Sequence, residues 1–348
     1  MSREVLNGDL TGLLAVVAEG GALTAAEAEA AVDSFMDGSA SEIQMAALLM
    51  GLSTKGVEPA EVAGGVRALR KTMIPVPSAD PTMLVDTAGT GGGSVTTFNI
   101  STAAAFVVAG AGIPVAKHGN RSFTSRCGSA DVLEALGVKI DLTAERMGEV
   151  LAEAGIVFMF APLLHPAMRH VGPVRRGLGI TTMMNILGPL TNPAGARRQV
   201  IGVADPRLLG LIPRALKELG HIHALVVHGE PGLDEVSPVG VTHVVELKGG
   251  EIHQYEVSPP TLGVEPTELS GLAGGEPEEN ATVLEAVLAG EGGAPRTAVL
   301  VNAAAALLVG GDVGSWADAV EVAGATIDEG KASSALDRLR TSSNAGAQ

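Results

Sequence analysis

The stretch Asp86-Thr-Ala-Gly89-Thr90-Gly91-Gly92-Gly93-Ser94 follows a short apolar run, and an alanine-rich segment begins soon after it at Ser101. Glycines directly after a buried strand allow a tight turn and let backbone N–H groups approach an anion. A helix that starts near Ser101 would point its unpaired amides at the same place. This pattern predicts a strand, a phosphate-binding loop and a helix, which are parts of an α/β fold. The loop lacks the Gly-Lys-Ser/Thr ending of a Walker loop, and a turn that serves packing alone is the alternative.

Short apolar runs alternate with helical periodicity on both sides of this stretch, from Met83 onward. Strands that alternate with helices favour a mainly parallel sheet, so we predict a large α/β domain. A hairpin is expected around Gly249-Gly250, between residues 241–247 and 251–257. The predicted strands are 83–86, 114–116, 156–160, 199–203 and 224–227, and the predicted helices are 101–111, 129–136, 144–154 and 206–219.

The first seventy-odd residues are predicted to be helical. Thr24 and Glu27 have the spacing of a capping box, as do Ser39 and Glu42, and Pro59 sits at a plausible first helical position. A proline-punctuated connector then marks a domain crossing. We therefore predict a small all-helical domain over residues 1–75, a large α/β domain over 76–164 and 194–342, and a polar tail over 343–348.

Composition and charge exclude several classes of function. The formal charge is −16, from 39 acidic and 23 basic residues, so the surface should repel nucleic acid and anionic lipid, and neither is an expected partner. The longest apolar stretch, residues 100–116, is broken by serine, threonine, glycine and proline and is interpreted as core. The single cysteine, Cys127, excludes an intramolecular disulfide and fits a reducing cytoplasm. No base is evident beside it, so we interpret it as a bystander rather than a nucleophile.

A concentrated cationic loop, Lys117-His118-Gly119-Asn120-Arg121 and onward to Ser129, follows the second predicted strand. In so acidic a chain, cations and hydroxyls gathered at a strand end are better explained by an anionic ligand than by a solvated loop. A third segment carries Asp234-Glu235 after a later strand. In a turn, adjacent carboxylates can share metal ions, and the carboxyl edge of the sheet is where α/β folds bind ligands.

A fourth segment is helical and punctuated by proline and glycine, over residues 165–176 and 185–193. Its arginines and asparagines could meet a carboxylated ligand, although alone it is a weak signal. The remaining histidines lack metal-binding spacing and are expected at the surface: His221, His223, His243 and His253.

These four segments, in this order and spacing, resemble the anthranilate phosphoribosyltransferases of tryptophan biosynthesis. The resemblance extends over essentially the whole chain, and its most specific parts are residues 89–92 with 99–102, 117–121, 185–193 and 232–237. It implies transfer of the phosphoribosyl group of phosphoribosyl pyrophosphate to the amine of anthranilate, which gives N-(5-phosphoribosyl)anthranilate and pyrophosphate. It also implies a nucleoside phosphorylase/phosphoribosyltransferase-like fold and a homodimer. Helices of about 165–193 would return to the small domain, so that the active site lies in the cleft between the domains.

The resemblance also implies site residues. Anthranilate would contact Gly89, His118, Asn120, His165, Arg175 and Pro189, with His118 and Arg175 as catalytic residues. Two Mg²⁺ ions per subunit would be held by Ser101, Asp234 and Glu235. Phosphoribosyl pyrophosphate would contact Gly89, Gly92, Gly93, Thr97, Asn99, Ile100, Ser101, Thr102, Lys117, His118, Gly119, Asn120, Arg121, Ser122, Phe123, Thr124, Ser125 and Ser129.

The sequence departs from the family pattern at two places. The glycine loop of the family usually continues Asp-Gly where this chain has Gly93 and Ser94, which removes a carboxylate and bears on the use of magnesium. Thr181 stands where the family often has arginine, which leaves Arg175 and Arg176 as the cations of that segment.

Two other functions remain open at this stage. A pyrimidine nucleoside phosphorylase has a similar fold and also acts at an anomeric carbon, but the cationic run and the Leu-Asp-Glu-Val-Ser run match the transferase better. A silent relative that only binds nucleotides is the second alternative, and the retained Asp234-Glu235 pair argues against it.

Overall fold

A computed structural model describes residues 10–93, 95–122, 126–311 and 313–345. The chain begins with four helices, α1 Leu10–Ala18, α2 Ala25–Met36, α3 Glu42–Lys55 and α4 Pro59–Thr72. Their apolar faces share a core that includes Leu13, Phe35 and Leu49, each at most 1% exposed. Burial of such a shared face is what stabilises short helices of this kind.

The caps of these helices agree with the sequence prediction at two of three places. Thr24 and Glu27 form the predicted capping box of α2, and Pro59 is the first residue of α4. The predicted cap at Ser39 is wrong, because Ser41 caps α3 and pairs with Gln44. The Ser39 N–H instead bonds to the Asp37 carboxylate at 2.8 Å, so the preceding turn continues and the helix starts later.

A seven-stranded sheet forms the centre of the remaining chain, with strand order β3-β2-β1-β4-β5-β6-β7. The first five strands are parallel, and β6 and β7 extend the sheet as an antiparallel hairpin. The predicted fold class, a helical domain with a mainly parallel α/β domain, is thereby confirmed. The strands are β1 Val85–Gly89, β2 Val115–Gly119, β3 Ile156–Phe160, β4 Arg198–Gly202, β5 His223–Gly229, β6 Thr242–Lys248 and β7 Glu251–Val257.

Helices cover both faces of this sheet. Alternate residues of β5 divide between two cores: Leu225 and Val227 face one, while Ala224 and Val226 face the core shared with α1 to α4. One face is packed by α13 and the other by α11. These helices are α5 Ile100–Gly110, α6 Ser129–Ala135, α7 Ala144–Ala154, α11 Leu208–Glu218, α12 Pro277–Leu288, α13 Ala294–Gly310, α14 Trp316–Asp328 and α15 Lys331–Asn344.

The predicted polar tail, residues 343–348, lies partly outside the described residues, and its first residues are helical. Helix α15 runs to Asn344, and Ser343 is only 1% exposed because its hydroxyl accepts the N–H of Lys139 at 3.1 Å. Polar composition alone did not reveal this contact. None of the described helices is long and apolar enough to cross a bilayer.

Three short helices interrupt the α/β part: α8 Ala161–Leu164, α9 Met168–Leu178 and α10 Met183–Leu187. Helix α9 contacts α2 and α3, and α10 contacts α3 and α4. Val171 and Leu187 are fully buried in the core of the N-terminal helices. The segment therefore packs against the small helical unit, although the residue limits of the two domains stay a prediction.

Candidate active site

The glycine-rich loop leaves the sheet at the carboxyl end of β1. Gly91 and Gly92 have φ values of +64° and +79°, a region that side chains rarely adopt. The loop ends at Asn99, the N-cap residue of α5, whose carbonyl accepts the Thr102 N–H at 3.1 Å, and the Ser101 N–H at the start of that helix meets the Glu235 carboxylate. Here the predicted strand, loop and helix are confirmed, with Gly89 as the last residue of the strand.

The predicted acid pair lies directly beside this loop. A Cβ atom on Gly89 would stand 2.9 Å from the Asp234 carboxylate, and one on Gly202 would overlap the Asp234 carbonyl oxygen. Burial raises the pKa of Asp234, whose carboxylate accepts the Gly91 N–H. Burial and the neighbouring Asp234 charge raise the pKa of Glu235 to about 8, against the charge of Lys117 and the Ser101 N–H. Two buried carboxylates with raised pKa values form a place where a cation is favoured.

Lys117 is an internal cation, only 4% exposed. Its ammonium group donates to the Thr87 carbonyl at 2.6 Å, the Thr87 hydroxyl at 3.1 Å and the Ser101 hydroxyl at 3.3 Å. Desolvation lowers the pKa of Lys117, and the Asp86 and Glu235 charges oppose that shift. All three ammonium protons thus meet protein oxygens, so this cation ties β1 and α5 together beneath the loop.

Arg121 extends from the cationic loop but is paired by the protein itself. Its guanidinium lies 2.7 Å from the Asp131 carboxylate and 2.5 Å from the Glu134 carboxylate, and these pairs raise its pKa. The Ser129 hydroxyl donates to the Asn120 carbonyl at 3.2 Å and so closes the loop on itself. The loop therefore presents mainly backbone and hydroxyl groups, with one charge already compensated.

Arg175 is the contrasting cation of the site. It stands in the last turn of α9, is partly buried, and has no carboxylate within ion-pair distance among residues 10–93, 95–122, 126–311 and 313–345. Burial lowers its pKa, but a guanidinium stays charged at neutral pH. A desolvated and uncompensated guanidinium is a ready partner for a carboxylate ligand.

His118 and His165 face each other across the floor of the cleft. Their Nε2 atoms are 3.2 Å apart, and their rings lie 5.1 Å from centroid to centroid. Burial lowers the pKa of His118 to about 3 and that of His165 to about 4. Both rings are therefore neutral at physiological pH, and one Nε2–H donates to the other.

One cavity of about 990 Å³ joins these groups, which is enough for two substrates. It extends from the sheet edge to Ser53 and Val57 near the end of α3, and so lies between the two parts of the chain. Predicted site residues in its wall are Gly89, Gly92, Gly93, Asn99, Ser101, Thr102, Lys117, His118, Gly119, Asn120, Arg121, Ser122, Ser129, Arg175, Pro189, Asp234 and Glu235.

Other predicted residues stand elsewhere. Ile100 is 1% exposed in the core, and Thr97 forms a β-bridge with Ala273, so neither lines the cavity. His165 reaches the cavity only through its contact with His118. Phe123, Thr124 and Ser125 lie outside the described residues. Contact of any of these residues with a substrate stays a prediction.

The cavity also contains residues that the sequence reasoning missed. Asp205 and Arg207 follow the carboxyl end of β4, and the edge rule used for β1, β2 and β5 would have found them. Within the described ranges, the hydroxyls of Thr102 and Thr182 are buried and have no hydrogen-bond partner, and both residues line the cavity. Unsatisfied hydroxyls of this kind are natural donors to a bound ligand.

The comparisons with known proteins agree with this geometry. Residues 11–73 match the helical bundle domain of a glycosyl transferase family, and residues 81–333 match the α/β domain of that family. An anthranilate phosphoribosyltransferase from Symbiobacterium thermophilum is 51% identical over 328 residues, which are 94% of this chain and 96% of that protein. The chain belongs to the anthranilate phosphoribosyltransferase family.

Solved structures of the family have the same fold. The anthranilate phosphoribosyltransferase of Thermus thermophilus is 42% identical, with a TM-score of 0.90 over 95% of this chain and 99% of that one. The enzyme of Saccharomyces cerevisiae in complex with phosphoribosyl pyrophosphate and Mg is 26% identical, with a TM-score of 0.87 over 99% of both chains. A complex of that yeast enzyme with 4-fluoroanthranilate is 25% identical, with a TM-score of 0.85 over 97% of this chain and 99% of that one.

Proposed function

We propose that the protein transfers the phosphoribosyl group of phosphoribosyl pyrophosphate to the amine of anthranilate, in tryptophan biosynthesis. The observation that carries the proposal is the pairing of two unlike subsites in one cavity. Backbone amides and an acid pair occupy one side, and the uncompensated guanidinium of Arg175 occupies the other. The first suits a pyrophosphate with its cations, and the second suits the carboxylate of an aromatic acid. The 51% identity to a full-length family member supports the transferase over a nucleoside phosphorylase.

The reaction is a substitution at the anomeric carbon. The amine nitrogen forms a bond to that carbon, the bond to the pyrophosphate oxygen breaks with its electron pair on the oxygen, and the amine loses one proton to solvent. Negative charge grows on the leaving group, so donors that line the cavity, such as the buried Thr102 hydroxyl, stabilise the transition state. Arg175 and the Pro189 segment hold the acceptor in line for the attack, which supplies much of the rate through orientation.

We further propose two Mg²⁺ ions per subunit, held by Asp234 and Glu235 with Ser101. Among the described residues no cluster of three or more histidine, cysteine or acidic groups could hold a metal alone. A pair of carboxylates completed by substrate phosphates and water is how Mg²⁺ is commonly held, so the donor set fits. When bound, the ions neutralise charge on the departing pyrophosphate. Gly93 adds no carboxylate here, which leaves the acid pair and Asp205, which is ion-paired with Arg207, as the carboxylates of the cavity.

His118 is proposed to contact the acceptor rather than to remove its proton. Burial lowers the pKa of His118 to about 3, so its ring is too weak a base to take the proton of the amine at neutral pH. An aromatic amine is already nucleophilic and needs little help of this kind. The His118 ring can instead orient the amine through its Nε2 atom, after the contact of that atom with His165 Nε2 is broken.

A fluorescence assay tests the function. Purified protein should consume anthranilate, seen as loss of its fluorescence, only when phosphoribosyl pyrophosphate and Mg²⁺ are both present. A nucleoside phosphorylase would instead release a base from a pyrimidine nucleoside in the presence of phosphate. Absence of turnover together with absence of thermal stabilisation by either substrate would indicate a silent relative.

A homodimer in the cytoplasm completes the proposal. Helix α3 presents an outward stripe in which Ile43 is 82% exposed and Met50 is 37% exposed, with Ala47 between them. Apolar side chains at this spacing on a surface helix are typical of an interface. Light scattering should report a dimer for the wild type and a monomer for Ile43→Asp. Met83→Asp, which alters another exposed apolar side chain, should leave the dimer intact.

A further inference from the structure

The carboxylate of Asp86, the second residue of β1, is fully buried and accepts hydrogen bonds from three donors. Its Oδ1 atom accepts the backbone N–H of His118 at 3.1 Å. Its Oδ2 atom accepts the side-chain amides of Asn192 at 2.9 Å and Gln199 at 3.0 Å. None of these three donors belongs to β1, so one carboxylate joins three separate segments.

These segments lead to the acceptor side of the cavity. The Gln199 amide nitrogen also donates to the Pro189 carbonyl at 2.9 Å, and Pro189 lines the cavity. The Asn192 amide nitrogen also donates to the Ala116 carbonyl at 2.9 Å, at the base of the strand that carries His118. Asp86 therefore fixes the spacing between His118 and the Pro189 segment without reaching the cavity itself.

The orientation of the Gln199 amide is determined by its neighbours. Because its nitrogen donates to Asp86 and Pro189, its oxygen must accept from His221 Nε2, which lies 2.8 Å away. His221 is 6% exposed rather than at the surface as expected. A neutral ring with its proton on Nε2 satisfies this arrangement, and burial lowers the pKa of His221 to about 3.

We infer that Asp86 is a positioning residue for the anthranilate side of the site, acting through His118 and through Gln199 and Pro189. The inference rests on the proposed function. The phosphate side is held by other contacts: Gly91 by Asp234, Arg121 by Asp131, and the Asn99 side chain by Asn280 at 2.9 Å. Loss of the Asp86 carboxylate should therefore affect the two substrates unequally.

Asp86→Asn is the first variant. An asparagine has one acceptor oxygen, so its amide group must face either the His118 N–H or the Asn192 and Gln199 amides. The clash displaces a wall of the acceptor site. We expect the KM for anthranilate to rise about tenfold, which corresponds to about 1.4 kcal/mol. The KM for phosphoribosyl pyrophosphate should rise by a smaller factor, because Asp86 acts on that side only through its charge on Lys117, which keeps its hydrogen bonds to Thr87 and Ser101.

Gln199→Met is the second variant and leaves Asp86 in place. It removes the Gln199 bonds to Pro189, Asp86 and His221 in a side chain of similar length, and keeps the His118 and Asn192 bonds of Asp86. The KM for anthranilate should rise about threefold, less than in Asp86→Asn. Glu246→Gln is the matched control. That carboxylate lies on the same sheet and accepts from buried His223 at 2.7 Å, but does not line the cavity. It should lower the unfolding temperature and leave both KM values unchanged.

Steady-state kinetics with both substrates, and thermal unfolding of each variant, give the outcome. A selective rise in the KM for anthranilate in Asp86→Asn and Gln199→Met, absent from Glu246→Gln, supports the inference. The inference is overturned if the wild type is active but Asp86→Asn and Gln199→Met lose only stability. It is also overturned if both variants raise the KM values for the two substrates equally. A wild type that does not consume anthranilate overturns the proposed function and this inference with it.

Discussion

The loop after β2 and the last turn of α9 each offer an arginine to the same cavity, yet the two arginines differ in what surrounds them. Arg121 is 49% exposed and lies between Asp131 and Glu134, which compensate its charge. Arg175 is partly buried, and no carboxylate within the described ranges pairs with it. Positive residues look alike in a sequence, but only an uncompensated charge is available to a ligand.

The phosphate side and the acceptor side of the cavity differ in the same way. The phosphate side is built from amides, hydroxyls and an acid pair, and its cations are already engaged within the protein. The acceptor side is built from neutral histidines and the guanidinium of Arg175, which pairs with no carboxylate of the described residues. The positive charge that neutralises a bound pyrophosphate must therefore come from added cations. On the acceptor side, Arg175 itself supplies the positive charge for a carboxylate ligand.

The largest effect is expected from the acid pair. The double variant Asp234→Asn and Glu235→Gln removes the anionic groups beside the glycine loop while keeping their shape. We expect kcat to fall by at least about 100-fold, the usual cost of losing charge stabilisation of a leaving group. A magnesium titration of the rate measures this, with Glu230→Gln on the same loop as the control. Near-normal rates at all magnesium concentrations would contradict the assignment.

The next effect concerns Arg175. Replacing it by methionine removes the charge and keeps the length of the side chain. We expect the KM for anthranilate to rise roughly 10- to 100-fold, in line with the loss of a charge-assisted hydrogen bond. Arg176→Met is the matched control, because Arg176 is exposed and does not line the cavity. Equal kinetics for Arg175→Met and Arg176→Met would contradict the assignment of Arg175 to the anthranilate carboxylate.

The neutral histidines predict a dependence of stability on pH. The folded pKa of His165 is about 4, below its unfolded value, so the unfolded chain binds a proton there first as the pH falls below about 6.5. The free energy of unfolding should therefore decrease between pH 6.5 and 4, by roughly 2 to 3 kcal/mol from His165. Denaturant unfolding at pH 7 and pH 5 measures this. The decrease should be smaller in His165→Gln, and an equal decrease would show that the ring is not the cause.

The smallest effect is expected from Arg121. Since two carboxylates already compensate its charge, Arg121→Gln should change the KM for phosphoribosyl pyrophosphate by no more than about threefold, as for an exposed ion pair. Initial rates at saturating anthranilate measure this. A loss as large as that of Arg175→Met would mean that Arg121 leaves its partners when the substrate binds.

The sequence predicted the parts of this molecule that follow from local patterns. Glycine and proline positions, capping boxes and strand–helix alternation located β1, α7 and β3, because each depends on neighbours in the chain. The edge rule brought the glycine loop, the cationic loop and Asp234-Glu235 together. The pairing of Arg121, the burial of His221 and the bonds of Asp86 depend on residues far apart in the chain. These long-range contacts leave no periodicity that could be read beforehand.

The most direct test of the account compares anthranilate with its neutral amide, 2-aminobenzamide, on the wild type and on Arg175→Met. If the free guanidinium of Arg175 binds the substrate carboxylate, each single change should lower kcat/KM by roughly 10- to 100-fold. The two changes together should then cost no more than either alone, because both remove the same interaction. Losses that multiply in the combined experiment would show that the carboxylate binds elsewhere, and would contradict the account.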